Sequence, residues 1–228
     1  MNTNNSNKNI NNHPNIDKII SILKKEVINY NVPVVDLIQI QTNDPFKVLI
    51  ATILSARTKD QTTVQACKKL FEKVNSPQDL KNLSIKEIEK LIYPVGFYKN
   101  KAKYLYELPD VLKSNFNNQV PDNIDDLLKL PGVGRKTANL VVAVGFQKPA
   151  MCVDVHVHRI SNRLGYIKTK NPFESEMALR KKLPIKYWEK YNSMIVAFGQ
   201  HLCTPISPHC SKCPIYKYCK RVGVKSSR

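Results

Sequence analysis

The chain has 228 residues, enough for one large domain or two small ones and for a core that needs no covalent staples. Lys and Arg total 36 against 18 Asp and Glu, a net charge of +18 that points to a polyanionic partner, nucleic acid before an anionic membrane surface. No run approaches the roughly 20 apolar residues of a membrane span, and the polar, Asn-rich start lacks the basic-then-apolar order of a signal peptide, so neither a secreted nor an integral membrane protein is expected.

Residues 1–15 carry eight asparagines and almost nothing apolar, and are expected to form a disordered tail. From Ile16 the apolar positions Ile19, Ile20, Leu23, Val27 and Ile28 recur at helical spacing. Val32 to Gln41 is rich in β-branched residues and resists a helical reading. Asp44-Pro45 is a cap followed by proline at the first helical position, and the nearly all-apolar run Phe46 to Ala56 predicts a central helix buried on all sides. Ser84 with Glu87 forms a capping-box pattern. Further helix starts are expected after Asp122 and at Asn171-Pro172 with Glu174, and another helix over Tyr187 to Leu202. Only 7 glycines occur, too few for an all-β chain with many tight turns.

Val153 to His158 alternates apolar and polar residues, the pattern of a strand. On a strand, Asp154, His156 and His158 would share one face as a metal-ligand array, and the chain would be a metal-dependent nuclease or hydrolase. Four of the six cysteines fall in the last 26 residues as Cys203-x6-Cys210-x2-Cys213-x5-Cys219. The clustering argues for a metal or iron–sulfur site in a reducing compartment, and bond geometry alone leaves zinc and an iron–sulfur cluster both open. Cys67 and Cys152 lie among apolar residues and are expected to be core thiols.

Leu130-Pro131-Gly132-Val133-Gly134-Arg135-Lys136-Thr137-Ala138 ends one amphipathic helix at a two-glycine turn and begins another. Read bland, it is an ordinary turn between helices with a glycine cap. In so basic a chain, the outward N–H groups of the second helix would hold a nucleic-acid phosphate, positioning the duplex without reading a base.

This segment resembles the helix–hairpin–helix of the endonuclease III family of DNA glycosylases. Val153-Asp154-Val155-His156-Val157-His158-Arg159 resembles that family's catalytic-aspartate segment, and Leu54 to Asp60 and Val95-Gly96-Phe97-Tyr98 resemble two further family loops in order and spacing. The likeness runs from about residue 18 to about 221. It implies an all-α, two-lobed helix–hairpin–helix glycosylase fold with a C-terminal 4Fe-4S loop, the 6-2-5 cysteine spacing supplying its ligands. Residues 38–148 would form a helical-barrel domain, and residues 16–37 would join 149–228 in an iron–sulfur domain. It also implies a helix starting after Asp154, which would splay the two histidines.

The resemblance further implies roles. Lys136, otherwise a phosphate-contacting surface lysine, would be the amine that attacks the sugar and forms a Schiff base, its proton loosened by burial and by Arg135. Asp154, which is also a plausible helix cap, would accept a proton or steady positive charge on the sugar. Gly132, Val133, Gly134, Arg135, Thr137, His156 and Arg159 would meet DNA. Phe97 and Arg57, where the family often has leucine and glutamine, would fill the gap left by the everted nucleotide. A lysine at 136 marks relatives that both remove the base and nick the strand. The expected function is excision of oxidised pyrimidines from duplex DNA, with nicking at abasic sites. A monofunctional mismatch or adenine glycosylase and a non-catalytic DNA-binding module stay open. The chain is expected to act as a monomer, with no membrane partner, in a prokaryotic cytoplasm with the nucleoid, nucleus or mitochondrion remaining open.

Overall fold

A computed structural model describes residues 15–30 and 34–228. The expected tail lies outside these residues except for Asn15, which caps the first helix by accepting from the Lys18 amide at 3.0 Å. Helix α1 (Ile16–Glu26) buries Ile16, Ile19, Ile20 and Leu23, with Asp17 in its first turn and Lys24 and Lys25 in its last, charges that complement the helix dipole. Helix α2 (Val34–Thr42) occupies most of the stretch whose β-branched residues resist a helical reading. Helix propensity disfavours each such residue by only about 0.5 kcal/mol. Burial of each is worth about 1.5–3 kcal/mol, and Val34, Val35 and Ile38 are all buried.

Asp44 caps α3 (Pro45–Ser55), its carboxylate accepting from the Phe46 amide at 2.8 Å, and every residue from Val48 to Leu54 is buried. Against this central rod pack α2, α4 (Asp60–Phe71) and the long α7 (Tyr98–Phe116), while α5 (Pro77–Lys81) and α6 (Ile85–Ile92) pack on α7. Ser84 and Glu87 form the expected capping box of α6. The cap of α8 (Ile124–Leu127) is Asn123, not the expected Asp122, which instead pairs with Lys148. Helix α9 (Arg135–Leu140) runs on into a π-helical turn, Val141–Gly145. Helices α10 (Val155–Arg163), α11 (Pro172–Lys182, capped by Asn171) and α12 (Trp188–His201) follow, and no strand occurs among the described residues.

The buried side chains form two clusters. One gathers Val34 through Cys152; the other joins Ile16, Ile19, Ile20 and Leu23 to residues between Met151 and Ile215. The extended segment 150–153 threads between them, with Ala150 and Cys152 in the first cluster and Met151 and Val153 in the second. The apolar–polar alternation of Val153 to His158 therefore makes no strand: Asp154 caps α10, Val155 to His158 form its first turn, and only Val153 belongs to the segment between the cores.

A charged knot ties the two sides together. Glu176 on α11, 4% exposed, accepts from Arg135 Nε at 2.8 Å and Nη2 at 2.9 Å, and from Arg180 Nε at 3.0 Å. Arg180 Nη2 reaches Asn139 Oδ1 on α9 at 2.9 Å. Removing the carboxylate strands two guanidinium groups, so Glu176→Ala should lower unfolding free energy by about 2 kcal/mol and Glu176→Gln by less. Urea unfolding measures both, and an unchanged midpoint in Glu176→Ala would show that the knot holds nothing.

Candidate active site

Gly134 caps α9 without a side chain, and Lys136 is the second residue of that helix. Across from it, the segment 150–153 delivers Asp154 to the start of α10. Asp154 Oδ1 accepts from the His156 and Val157 amides, both at 2.9 Å, and so is locked in place by the helix it caps. Its second oxygen, Oδ2, lies 3.8 Å from Lys136 Nζ. The lysine side chain is 54% exposed and the aspartate 9%. An open primary amine thus faces a fixed carboxylate that has one free oxygen, the pairing that a nucleophile and its proton acceptor require.

Two expectations about this pair are corrected. Lys136 is not buried, and Arg135 is no free neighbouring cation, because both faces of its guanidinium fork go to Glu176. The metal array is overturned as well. The helix from Val155 turns the two histidines apart: His158 Nδ1 meets Ser175 Oγ at 2.7 Å, whereas His156 Nδ1 lies 3.2 Å from Arg159 Nη2. Burial, opposed by the Asp154 carboxylate and helped by Arg159 and Lys136, holds the His156 imidazole below its ordinary titration range. His156 also packs tightly on α12, where a side-chain carbon at Gly199 would come within 2.6 Å of its ring.

The hairpin places Gly132 at φ 74°, and a Cβ there would strike the Tyr104 ring at 2.5 Å. At Gly134 a Cβ would meet nothing within 4 Å, so that turn opens outward. Val133 and Thr137 point inward, 8% and 9% exposed, and the Val133 amide donates to the Leu130 carbonyl at 3.2 Å. Arg159 is likewise turned inward: Nη2 donates to the Cys203 carbonyl at 2.9 Å and the Gly199 carbonyl at 3.3 Å.

Arg57 and Phe97 come together at one ridge. The guanidinium carbon lies 5.6 Å from the Phe97 ring centre, and Phe97 is 60% exposed. Both residues adopt left-handed backbone, φ 55° and 58°, at a cost of about 1 kcal/mol each. Their loops touch: Gly96 N donates to Thr58 Oγ1 at 3.1 Å, and a Cβ on Gly96 would lie 2.5 Å from the Arg57 carbonyl. A hollow of about 320 Å³ runs from this ridge to Gly132.

Cys203, Cys210, Cys213 and Cys219 line a single cavity walled by Ile160, Leu164, Phe198 and Leu202. N–H groups already point at the sulfurs, Arg163 Nη1 at Cys203 and the Arg221 amide at Cys219, both 3.4 Å away. Arg163 also donates to the Thr204 and Pro205 carbonyls at 2.7 and 2.6 Å, fixing the loop that carries Cys203. Four thiols in an apolar cavity with N–H donors at two of them are a donor set that suits an iron–sulfur cluster. Cys67 and Cys152 are buried core thiols, pushed up to about 12 by burial.

Glu176 and Arg163 carry no motif in the sequence. The only signal is an acid inside the basic helix α11, and an arginine one turn beyond Arg159.

Residues 50–185 match the family model described as HhH-GPD superfamily base excision DNA repair protein. Endonuclease III of Thermotoga maritima is 49% identical over 177 residues, 78% of this chain and 83% of that protein. Among solved structures, a non-covalent endonuclease III–DNA complex is similar at TM-score 0.80 and 36% identity, covering 90% of this chain and 94% of the other. A trapped endonuclease III–DNA covalent intermediate is similar at TM-score 0.77 and 35% identity, covering 90% and 95%. The chain belongs to the endonuclease III family of the HhH-GPD superfamily.

Proposed function

We propose that this chain is a bifunctional DNA glycosylase and AP lyase of base excision repair, that it removes oxidised pyrimidines from duplex DNA, and that it works as a monomer. The observation that carries this reading is the Lys136 amine 3.8 Å from Asp154 Oδ2. A similar solved structure, a trapped endonuclease III–DNA covalent intermediate, supports a protein nucleophile.

In this reading, duplex DNA lies across the cleft between the two clusters. Amides of the hairpin at Gly132 and Gly134 take a phosphate, where the open space at Gly134 lets a backbone approach closely. Phe97 and Arg57 fill the space left by the everted nucleotide. Asp154 Oδ2 accepts a proton from the Lys136 ammonium, and the freed amine bonds to sugar C1′ as the bond to the damaged base breaks. The base leaves with a proton from the attacking nitrogen, and the C1′–O4′ bond then breaks as Asp154 returns its proton to O4′, opening the sugar to a protonated Schiff base, an electron sink. Loss of a C2′ proton expels the 3′ phosphate by β-elimination and cuts the strand.

Cys203, Cys210, Cys213 and Cys219 would hold a 4Fe-4S cluster. When bound it supplies four iron–thiolate bonds that staple the C-terminal loop. The exposed Lys212, Lys217 and Lys220 lie on that loop, where they can meet the phosphate backbone. No helix among the described residues is long and apolar enough to cross a membrane.

Borohydride should trap the protein covalently on an oxidised-pyrimidine or abasic duplex, in EDTA as well as without it, and Lys136→Ala should abolish trapping; undiminished trapping by that variant would remove Lys136 from the mechanism. Asp154→Asn keeps an oxygen for the α10 amides but loses the proton acceptor. Base release should fall by about a hundredfold or more, scored separately from strand cleavage on a panel of defined lesions. Phe97→Ala should slow processing of intact duplex far more than of single-stranded abasic DNA, and equal losses would argue against a wedge. Purified protein should be yellow-brown and contain iron, with the colour lost in Cys213→Ser. A colourless protein with stoichiometric zinc would overturn the cluster assignment.

A further inference from the structure

Lys101 on α7 is 5% exposed. Its Nζ donates to the Leu54 carbonyl at 2.8 Å, the Ala56 carbonyl at 2.6 Å and Thr58 Oγ1 at 3.2 Å. An ammonium has three N–H donors, and here each has an uncharged acceptor. Burial alone draws the group down to about 8. A lysine in that position is a costly choice for packing, since an apolar side chain would fill the same space without desolvating a charge.

The acceptors show what the charge does. Leu54 and Ala56 lie at the end of α3, where carbonyls have no partner further along the helix and the dipole favours a cation. Arg57, in left-handed backbone, follows Ala56 directly. Thr58 Oγ1 also receives the Gly96 amide, so one hydroxyl links the Lys101 ammonium to both loops of the ridge. Phe97, also left-handed, follows Gly96 and is the residue from which α7 starts, with Lys101 four positions along.

We propose that Lys101 is a positioning residue for nucleotide eversion: its buried ammonium clamps the ends of the 55–58 and 95–98 loops so that Arg57 and Phe97 are presented to DNA as one preformed wedge. This rests on the reading of Arg57 and Phe97 as the pair that enters the duplex. The clamp fixes the two strained backbones before DNA arrives, so that inserting the wedge need not order the loops at the same time. It makes no demand on Lys136 or Asp154, and the chemistry on an already exposed sugar does not depend on it.

The test uses the full-length holoprotein carrying Lys101→Met, which keeps the apolar stem and removes the charge. Single-turnover excision from a duplex with one oxidised pyrimidine should fall by about tenfold to a hundredfold. Nicking of a single-stranded abasic oligonucleotide should stay within about twofold, because the reacting groups are untouched. Amide hydrogen exchange should quicken at Thr58 and Gly96 while the interiors of α3 and α7 stay protected. Thr58→Val removes the shared hydroxyl without burying a new gap, and should shift both readouts the same way by a smaller factor; it decides the matter should Lys101→Met fail to fold. Equal losses on the two substrates, or unchanged duplex excision with unchanged exchange, would overturn the proposal. Phe97→Ala on the same substrates separates the two readings. Duplex-selective loss there without any in the folded Lys101 and Thr58 variants refutes the clamp and keeps the wedge. A Phe97→Ala loss that is not duplex-selective refutes the wedge and the clamp together.

Discussion

The proposed chemistry depends on a carboxylate and an amine that meet across a seam between two separately packed cores. Lys136 sits on a helix whose buried neighbours belong to the first cluster; Asp154 caps a helix whose buried neighbours belong to the second. Neither cluster alone sets the 3.8 Å between Nζ and Oδ2. Two features do. The segment 150–153 buries alternate side chains on either side of the seam, so it cannot slide toward one core without exposing the other. The Glu176 knot ties Arg135, the residue before the lysine, to α11. The knot is anchored next to the amine, where a small shift of α9 would change the reactive distance most.

Positive charge in this chain has been divided among quite different tasks. The net +18 suits a phosphate backbone in bulk, yet several of the cations nearest the chemistry are committed elsewhere. Arg135 is spent on Glu176, Arg159 on the carbonyls of Gly199 and Cys203, Arg163 on the cysteine loop, and Lys101 on the end of α3. Lys136 is left with only a distant pairing and more than half its side chain open. Tying down the neighbours keeps competing cations away from the carboxylate and leaves the amine as the mobile group within its reach.

How much of this was readable in advance depended on whether a signal was local. Helix caps are local, and Asp44, Ser84 with Glu87 and Asn171 with Glu174 all open helices where their patterns say so. The hairpin glycines are local too, since Gly132 needs a positive φ wherever the rest of the chain goes. The readings that failed needed tertiary knowledge. Val34, Val35 and Ile38 look like strand residues until burial in a helical core outweighs their propensity. Val153 to His158 looks like a strand because its apolar–polar alternation is read without the Asp154 cap, which starts a helix at Val155. For Arg135, Arg159 and Thr137 the sequence shows the charge or hydroxyl but not its direction, and their side chains turn to Glu176, to the Cys203 carbonyl and inward. Glu176 and Lys101 carry no motif, because each is one of several charges on its helix and meets Arg135 or the end of α3 from dozens of residues away.

The dual use of Asp154 in the proposed mechanism explains how such a carboxylate can be held so firmly at so little cost. A helix N-terminus needs an acceptor for its first amides whether or not any reaction occurs nearby, and Oδ1 meets that need. Fixing one oxygen fixes the plane of the whole group, so Oδ2 is aimed without further ligands and without burying a second charge beside it. The wedge residues show the opposite arrangement. Arg57 and Phe97 hold left-handed backbones that their own side chains disfavour, and the contacts beside them are made by neighbours, Gly96 with Thr58 and Lys101 with the end of α3. The reacting carboxylate thus takes its position from a structural requirement, whereas the ridge that would open the duplex is a strained feature maintained by its neighbours. Substitutions around the ridge should accordingly damage recognition of intact duplex before they damage the chemistry.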